Sequence, residues 1–358
     1  MQLPVVPGSS LGIIVNPMSG RDIRRLVARA SVFPNAEKTN MALRLISAAG
    51  ALGVERVHMS TDAMGVAAGV LRAAAKRRER EGRWPELEFC ELAPTGTAED
   101  TKTLVRRMRE LGVRVLVVLG GDGTVRAAAV HSGDLPVLPL STGTNNAFPE
   151  MWEATVAGTA AGLLATERIS EAEATYRAKA LRVNCADQVE NALVDVCIST
   201  VAHVGARALW EIGPLRELYC AFAEPHAIGL SAIAGLAAPV GRTEANGVRV
   251  RLAGSEDATR RVLAPIAPGV LASVGLHDVA PLLPDSPVTS AVARGTVAVD
   301  GEREIEFGPS APVTVTLTST GPRVVDVRAA LAAAAERHLL VSEFVLDAAP
   351  MNSYQEVR

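Results

Sequence analysis

One segment narrows the fold more than any other: five apolar residues without alternation, Val115 to Leu119, run directly into Gly120-Gly121-Asp122-Gly123-Thr124. A continuous apolar strand is one covered on both faces, as in a parallel sheet with helices above and below. The glycines let the backbone turn with φ > 0 and bring main-chain N–H groups close to a ligand, and the helix expected from Val125 to His131 offers its N-terminus to phosphate. An Asp inside such a loop disfavours a bare phosphate unless it holds Mg²⁺ or accepts a proton from an attacking hydroxyl, which makes Asp122 the leading catalytic candidate. A tight turn in which Asp122 or Thr124 caps the helix accounts for the same residues without function.

The segments around this one alternate in the same manner. Leu11 to Asn16, Val54 to Met59, Glu86 to Leu92, Val113 to Leu119 and Leu135 to Leu140 read as strands. Ala36 to Leu52, Ala63 to Glu81 and Ala98 to Leu111 carry helical periodicity between them, and Thr97 resembles an N-cap. This predicts a three-layer α/β domain with its ligand loops at the C-terminal ends of the strands. From about Ala180 the period becomes two: Val248, Val250 and Leu252 alternate with arginines, and Val313, Val315 and Leu317 with threonines. A second, mostly antiparallel β domain follows from that change. Ile228 to Ala238 is a candidate helix within it, Pro281 to Gly295 an irregular connection, and Val324 to Val327 with Ala329 to His338 a closing strand and helix that return to the first domain.

Of 358 residues, 48% are hydrophobic and 21% charged, enough to bury cores in two domains. The formal net charge of −3 gives no global pull toward nucleic acid. The uncharged stretches Ala227 to Gly241 and Val262 to Leu276 fall short of the ~20 residues of a membrane span, and no basic side chain precedes Arg21 as a secretory signal would require. The expectation is therefore a cytoplasmic protein without integral membrane association. Cys90, Cys185, Cys197 and Cys220 form no C-x-x-C pair and read as buried thiols, and the six histidines lack metal-ligand spacing.

Three further stretches accompany the glycine loop. Ser141-Thr142-Gly143-Thr144-Asn145-Asn146-Ala147-Phe148 follows the next strand and is crowded with hydroxyl and amide groups suited to a ribose or phosphate, or to a plain polar turn. Asn16-Pro17-Met18-Ser19-Gly20 follows the first strand, where Asn-Pro starts a turn unaided, with Arg21, Arg24 and Arg25 behind it. Asp300-Gly301-Glu302 reads as a hairpin turn between Thr296 to Val299 and Glu304 to Phe307. Walker and G-x-G-x-x-G signatures are missing.

In this order, N-P-x-S-G, G-G-D-G-T, P-L-x-T-G-T-x-N-x-F and D-G-E resemble the motifs of the superfamily that joins NAD kinases with diacylglycerol and sphingoid-base kinases. The wording from Asn16 to Arg25, Ser31 to Lys38 and Ser141 to Pro149 is similar to the acetoin-catabolism protein X group within it. The resemblance implies a Rossmann-like nucleotide-binding domain over residues 1–170 with a returning segment 323–358, a C-terminal antiparallel β-sandwich over 171–322, and an active site between them. It implies that Asn16, Ser19, Gly20, Gly120, Gly121, Gly123, Thr124, Gly143, Thr144, Asn145, Asn146, Asp300 and Glu302 bind nucleotide. Asp122 would act on the acceptor hydroxyl or on the metal, Asp300 and Glu302 would complete the cleft, and Asp122, Asp300 and Glu302 are the candidates for holding Mg²⁺.

The expected function is an ATP-dependent phosphotransferase acting on a hydroxyl, NAD kinase-like and linked to acetoin catabolism, with ATP and Mg²⁺ as cofactors and NAD as substrate. Its partners would be small molecules and other copies of itself, a homo-oligomer being common in the superfamily. NAD kinases carry an Asn-Glu pair for the dinucleotide, whereas no Asn here is followed by Glu, and Asn145-Asn146 stands where the lipid kinases place their G-T-x-N segment. A lipid kinase and a nucleotide-binding regulatory protein without turnover are the alternatives.

Overall fold

The computed structural model describes residues 2–20, 33–76, 82–143, 145–204, 211–254 and 257–342. The first half alternates β1 (Val6–Val15), α1 (Asn35–Ala51), β2 (Val54–Ser60), α2 (Val66–Lys76), β3 (Glu86–Cys90), α3 (Ala98–Glu110), β4 (Val115–Gly120), α4 (Asp122–Ser132), β5 (Val137–Ser141), α5 (Ala154–Ala165) and the short α6 (Glu171–Ala174). β6 (Thr175–Arg177) and the late β18 (Arg323–Val325) join it in one sheet of order β3-β2-β1-β4-β5-β18-β6. β1 to β5 and β18 are parallel, and β6 is antiparallel to β18.

β4 is buried at every position, so its lack of alternation has the expected cause. Met41, Leu45 and Ile46 of α1, Ala157, Ala161 and Leu164 of α5, and Val327 and Ala330 of α8 (Val327–Glu336) cover one face of the sheet. Leu104 and Met108 of α3 with Val125 and Ala128 of α4 cover the other. Thr97 caps α3, its hydroxyl accepting from Glu99 N at 3.3 Å.

The intervening chain builds two antiparallel sheets. One contains β9 (Asp195–Ser199), β10 (Leu215–Cys220), β11 (Gly247–Ala253), β12 (Arg260–Ala267), β13 (Val270–Leu282), β15 (Gly295–Val299) and β16 (Glu302–Phe307). The other contains β7 (Ala180–Cys185), β8 (Gln188–Ala192), β14 (Val288–Thr289) and β17 (Val313–Thr318). Leu181, Val183, Val313 and Val315 pack with Val196, Ile198, Val297 and Ile305 between the sheets, and the same apolar cluster continues under α3 and α4. α7 (Ser231–Ala237) covers the far face of the larger sheet. The four cysteines are buried and none is in a disulfide. No helix among the described residues is long and apolar enough to cross a membrane.

Several boundaries differ from the sequence reading, β1 starting at Val6 rather than Leu11 among them, and two helix starts have a traceable cause. α2 begins at Val66 rather than Ala63 because the Asp62 carboxylate accepts from the N–H groups of Met64, Val66 and Ala67 while Gly65 turns at φ +89°. α4 begins at Asp122 rather than Val125. Gly121 is its N-cap, and neither Asp122 nor Thr124 caps it, so the last three of the five residues Gly120 to Thr124 are already helix.

Candidate active site

The loops after β1, β4 and β5 emerge side by side at one sheet edge because their strands are neighbours. The ladder continues into them: Asn16 N donates to Leu119 O at 2.9 Å and Thr142 N to Gly120 O at 3.1 Å. In the first loop, Asn16 Oδ1 accepts from Met18 N at 2.8 Å, while its Nδ2 donates to Thr124 Oγ1 in α4 at 2.8 Å. Ser19 Oγ donates to Asn16 O at 2.8 Å and lies 2.6 Å from Thr142 Oγ1. One side-chain pair thus ties the first loop to each of the others.

The glycines serve this knitting. A Cβ on Gly120 would stand 2.5 Å from the Thr124 side chain; one on Gly121 or Gly143 would strike Asn146 at 2.8 or 3.0 Å. Gly20, at φ +75°, would meet Thr142 O at 2.9 Å. Gly123 differs: the nearest atom to its added Cβ is Glu302 Oε1 at 4.0 Å. Of the three glycines in the G-G-D-G-T run, only Gly123 therefore faces open space, at the first turn of α4 where the helix dipole favours an anion. Asn146 donates to Ser141 Oγ at 2.8 Å, and Asn145 Oδ1 is buried without a hydrogen-bond partner among the described residues. Thr144 lies outside the described residues, as do Arg21, Arg24, Arg25, Ser31 and Val32.

The Asp122 carboxylate accepts from Phe148 N at 2.8 Å and from Ala147 N at 3.1 and 3.2 Å. It binds the start of α4 to the loop after β5, and stands at the glycine loop rather than apart from it.

Asp300, Gly301 and Glu302 reach this edge from the β15–β16 hairpin. Asp300 and Gly301 have φ of +49° and +78°, the positive pair a two-residue hairpin turn demands. Asp300 and Glu302 have separate tasks. Asp300 is 8% exposed, accepts from the N–H groups of Leu193, Val194 and Asp195, and lies 3.7 Å from Arg126 Nε. Burial pushes its carboxyl above the ordinary value against the opposing pull of Arg126 and the amides. Arg126, on α4, also pairs with Glu304 at 2.9 Å and Glu190 at 3.7 Å. The Glu302 side chain makes no hydrogen bond or ion pair among the described residues and stands at Gly123.

No group of three or more His, Cys, Asp and Glu among the described residues is arranged to hold a metal ion, so Asp122, Asp300 and Glu302 do not form a common cage. Mg²⁺ usually binds through one or two carboxylates together with substrate phosphates, and half-buried Glu302 beside a phosphate-suited helix terminus fits that use. Asp300, enclosed by its amides and Arg126, does not.

Three residues went unread in the sequence. Lys38 is 0% exposed, and its Nζ donates to the carbonyls of Asn16, Pro17 and Ser19 at 3.0, 3.0 and 2.9 Å. Its position one turn before Met41, Ala42 and Leu45, on the buried stripe of α1, was the available signal. Arg126 lacked one, as did Arg242, whose Nη1 and Nη2 donate to Phe148 O at 2.8 Å and Ala147 O at 2.7 Å.

The comparisons with known proteins divide the chain in the same way as its sheets. Residues 11–169 match the ATP-NAD kinase N-terminal domain and residues 179–320 the acetoin catabolism protein X C-terminal domain. The acetoin catabolism protein X of Cupriavidus necator is 42% identical over 337 residues, covering 93% of this chain and 94% of that protein.

Proposed function

The chain belongs to the acetoin catabolism protein X family, and from that membership and the site we propose that it is an ATP-dependent, Mg²⁺-assisted phosphotransferase acting on a hydroxyl. NAD(H) is the first acceptor to consider and a small ketol or diol the second, the latter because the relative's name carries acetoin. The observation that supports the reading best is Glu302: an unpaired carboxylate from the β hairpin meets Gly123 at the first turn of α4, where a phosphate and its cation would sit together.

Phosphoryl transfer asks mainly for positioning and charge neutralisation. Gly123 leaves the first turn of α4 open to a phosphate, Asn16 and Thr124 fix the loop that flanks it, and Asn145 offers a buried acceptor for a donor group of the nucleotide. Glu302 is the carboxylate for Mg²⁺, which when bound would neutralise phosphate charge. Asp122 holds the two loops in register and presents its carboxylate to the acceptor hydroxyl. Residues 1–170 with 323–358 supply the phosphate loops, and 171–322 close the site with Glu302.

A regulatory nucleotide-binding protein is the second reading, favoured by one observation: the bonds from Ala147 and Phe148 give Asp122 a structural task that binding alone would need. Purified protein with ATP and Mg²⁺, offered NAD⁺, NADH, acetoin, butanediol and diacylglycerol in parallel, separates the two. Transfer to one acceptor that falls about 10²-fold in Asp122→Asn, with ATP affinity kept, supports the enzyme. ATP binding without transfer to any acceptor supports the regulator.

A further inference from the structure

Arg242 stands in the segment between α7 and β11, far in sequence from the glycine loop, yet it grips the peptide units that hold Asp122. Ala147 and Phe148 turn their N–H groups to the Asp122 carboxylate and their carbonyls to the Arg242 guanidinium. The peptide joining Ala147 to Phe148 is thus clamped on both sides, its N–H by an acid from α4 and its carbonyl by a base from the antiparallel half of the molecule, and the peptides before and after it are each held on one side.

The guanidinium is itself fixed from every side. Its side chain is 14% exposed and pairs with Glu224 at 3.1 Å, with Glu150 Oε1 at 3.9 Å. It stacks 4.4 Å from the Phe222 ring centroid and 5.8 Å from that of Phe148. A planar fork with two parallel donors and an aromatic bed is a geometry lysine cannot reproduce, because its ammonium is a point charge on a flexible stem.

We infer that Arg242 is a positioning residue for Asp122: through the Ala147–Phe148 peptides it sets where the carboxylate stands, so that the antiparallel half controls the catalytic loop. The inference rests on the phosphotransferase reading for its effect on turnover, but the clamp itself is independent of that reading.

Two measurements on the full chain keep them apart. Hydrogen–deuterium exchange over residues 145–150, read in wild type, Arg242→Lys and Asp122→Asn, tests the clamp. Arg242→Lys should speed exchange there about 10-fold or more, as Asp122→Asn does, because either change frees one side of the shared Ala147–Phe148 peptide. Where transfer is found, Arg242→Lys should lower kcat on the order of 10-fold and leave the KM for ATP within about 2-fold. The double variant should be no slower than Asp122→Asn alone, since the two act as a unit. Unchanged exchange at 145–150 in Arg242→Lys overturns the clamp whether or not the protein turns over. Faster exchange with an unchanged kcat overturns the positioning role. A wild type inert toward all acceptors defeats the phosphotransferase reading, and the exchange data then decide the inference alone.

Discussion

Glu302 Oε1 lies 4.0 Å from the point where a side chain on Gly123 would begin. Gly123 sits in the first turn of α4 without a positive φ, so alanine there costs no backbone strain and gains up to about 1 kcal/mol in helix propensity. Its methyl, however, would fill the gap between Glu302 and the helix terminus. Gly123→Ala is therefore expected to melt no lower than wild type while binding ATP·Mg²⁺ about 10-fold more weakly. Thermal unfolding and calorimetric titration of the same preparation check both halves, and undiminished affinity would place the phosphate elsewhere.

Asp300 and Glu302, two residues apart, should respond in opposite ways. Asp300→Asn weakens three amide contacts and leaves Arg126 short of a buried counter-charge, a loss of about 3–5 kcal/mol. Glu302→Gln removes no bond from the fold, so stability should stay within about 0.5 kcal/mol while the Mg²⁺ requirement for nucleotide binding shifts. Denaturant titration of both variants, with ATP affinity measured at several Mg²⁺ concentrations, tests the division. A stable Asp300→Asn with lost Mg²⁺ dependence would return Asp300 to the metal.

That division shows where sequence reading stops. The buried run Val115 to Leu119 and the switch to period two at Val248 and Val313 were enough for the two-part architecture, because burial on one face or two writes itself into residue spacing. Asn16, Ser19, Gly121, Gly143 and Glu302 were legible as a group through motif order, and their convergence follows from β1, β4 and β5 being adjacent. The individual tasks were not legible. Asp300 and Glu302 look alike in a chain, and only the positions of Leu193, Val194 and Arg126, more than a hundred residues away, make one a strut and leave the other open. Arg242 reaches Ala147 across a similar separation, which no local pattern encodes.

Lys38 should prove more costly than its charge suggests. Lys38→Met keeps the aliphatic stem on the buried face of α1 but strips donors from the carbonyls of Asn16, Pro17 and Ser19. With about 1–3 kcal/mol lost per buried group left unsatisfied, a drop of at least 3 kcal/mol is expected. The first loop should loosen with it, so ATP affinity falls even under conditions where the variant is fully folded. Chemical denaturation followed by nucleotide titration tests this. A variant as stable as wild type would mean that water replaces the ammonium without penalty.

The pH dependence of stability has a traceable contributor in His58, 2% exposed on β2. Burial lowers its pKa below the ordinary 6.5, opposed by Glu88, whose Oε2 stands 3.2 Å from Nδ1. The folded chain therefore holds His58 neutral over a range in which the unfolded chain has already taken up a proton. Stability is unaffected by this group above pH 6.5 and declines as pH falls from 6.5 toward the lowered folded value. His58→Gln abolishes the titration, so its stability should fall less than that of wild type between pH 7.5 and 5.5, whatever the offset between them at pH 7.5. Urea denaturation of both proteins at the two pH values gives the difference of differences, and equal slopes would show that His58 is protonated in the fold as readily as in water.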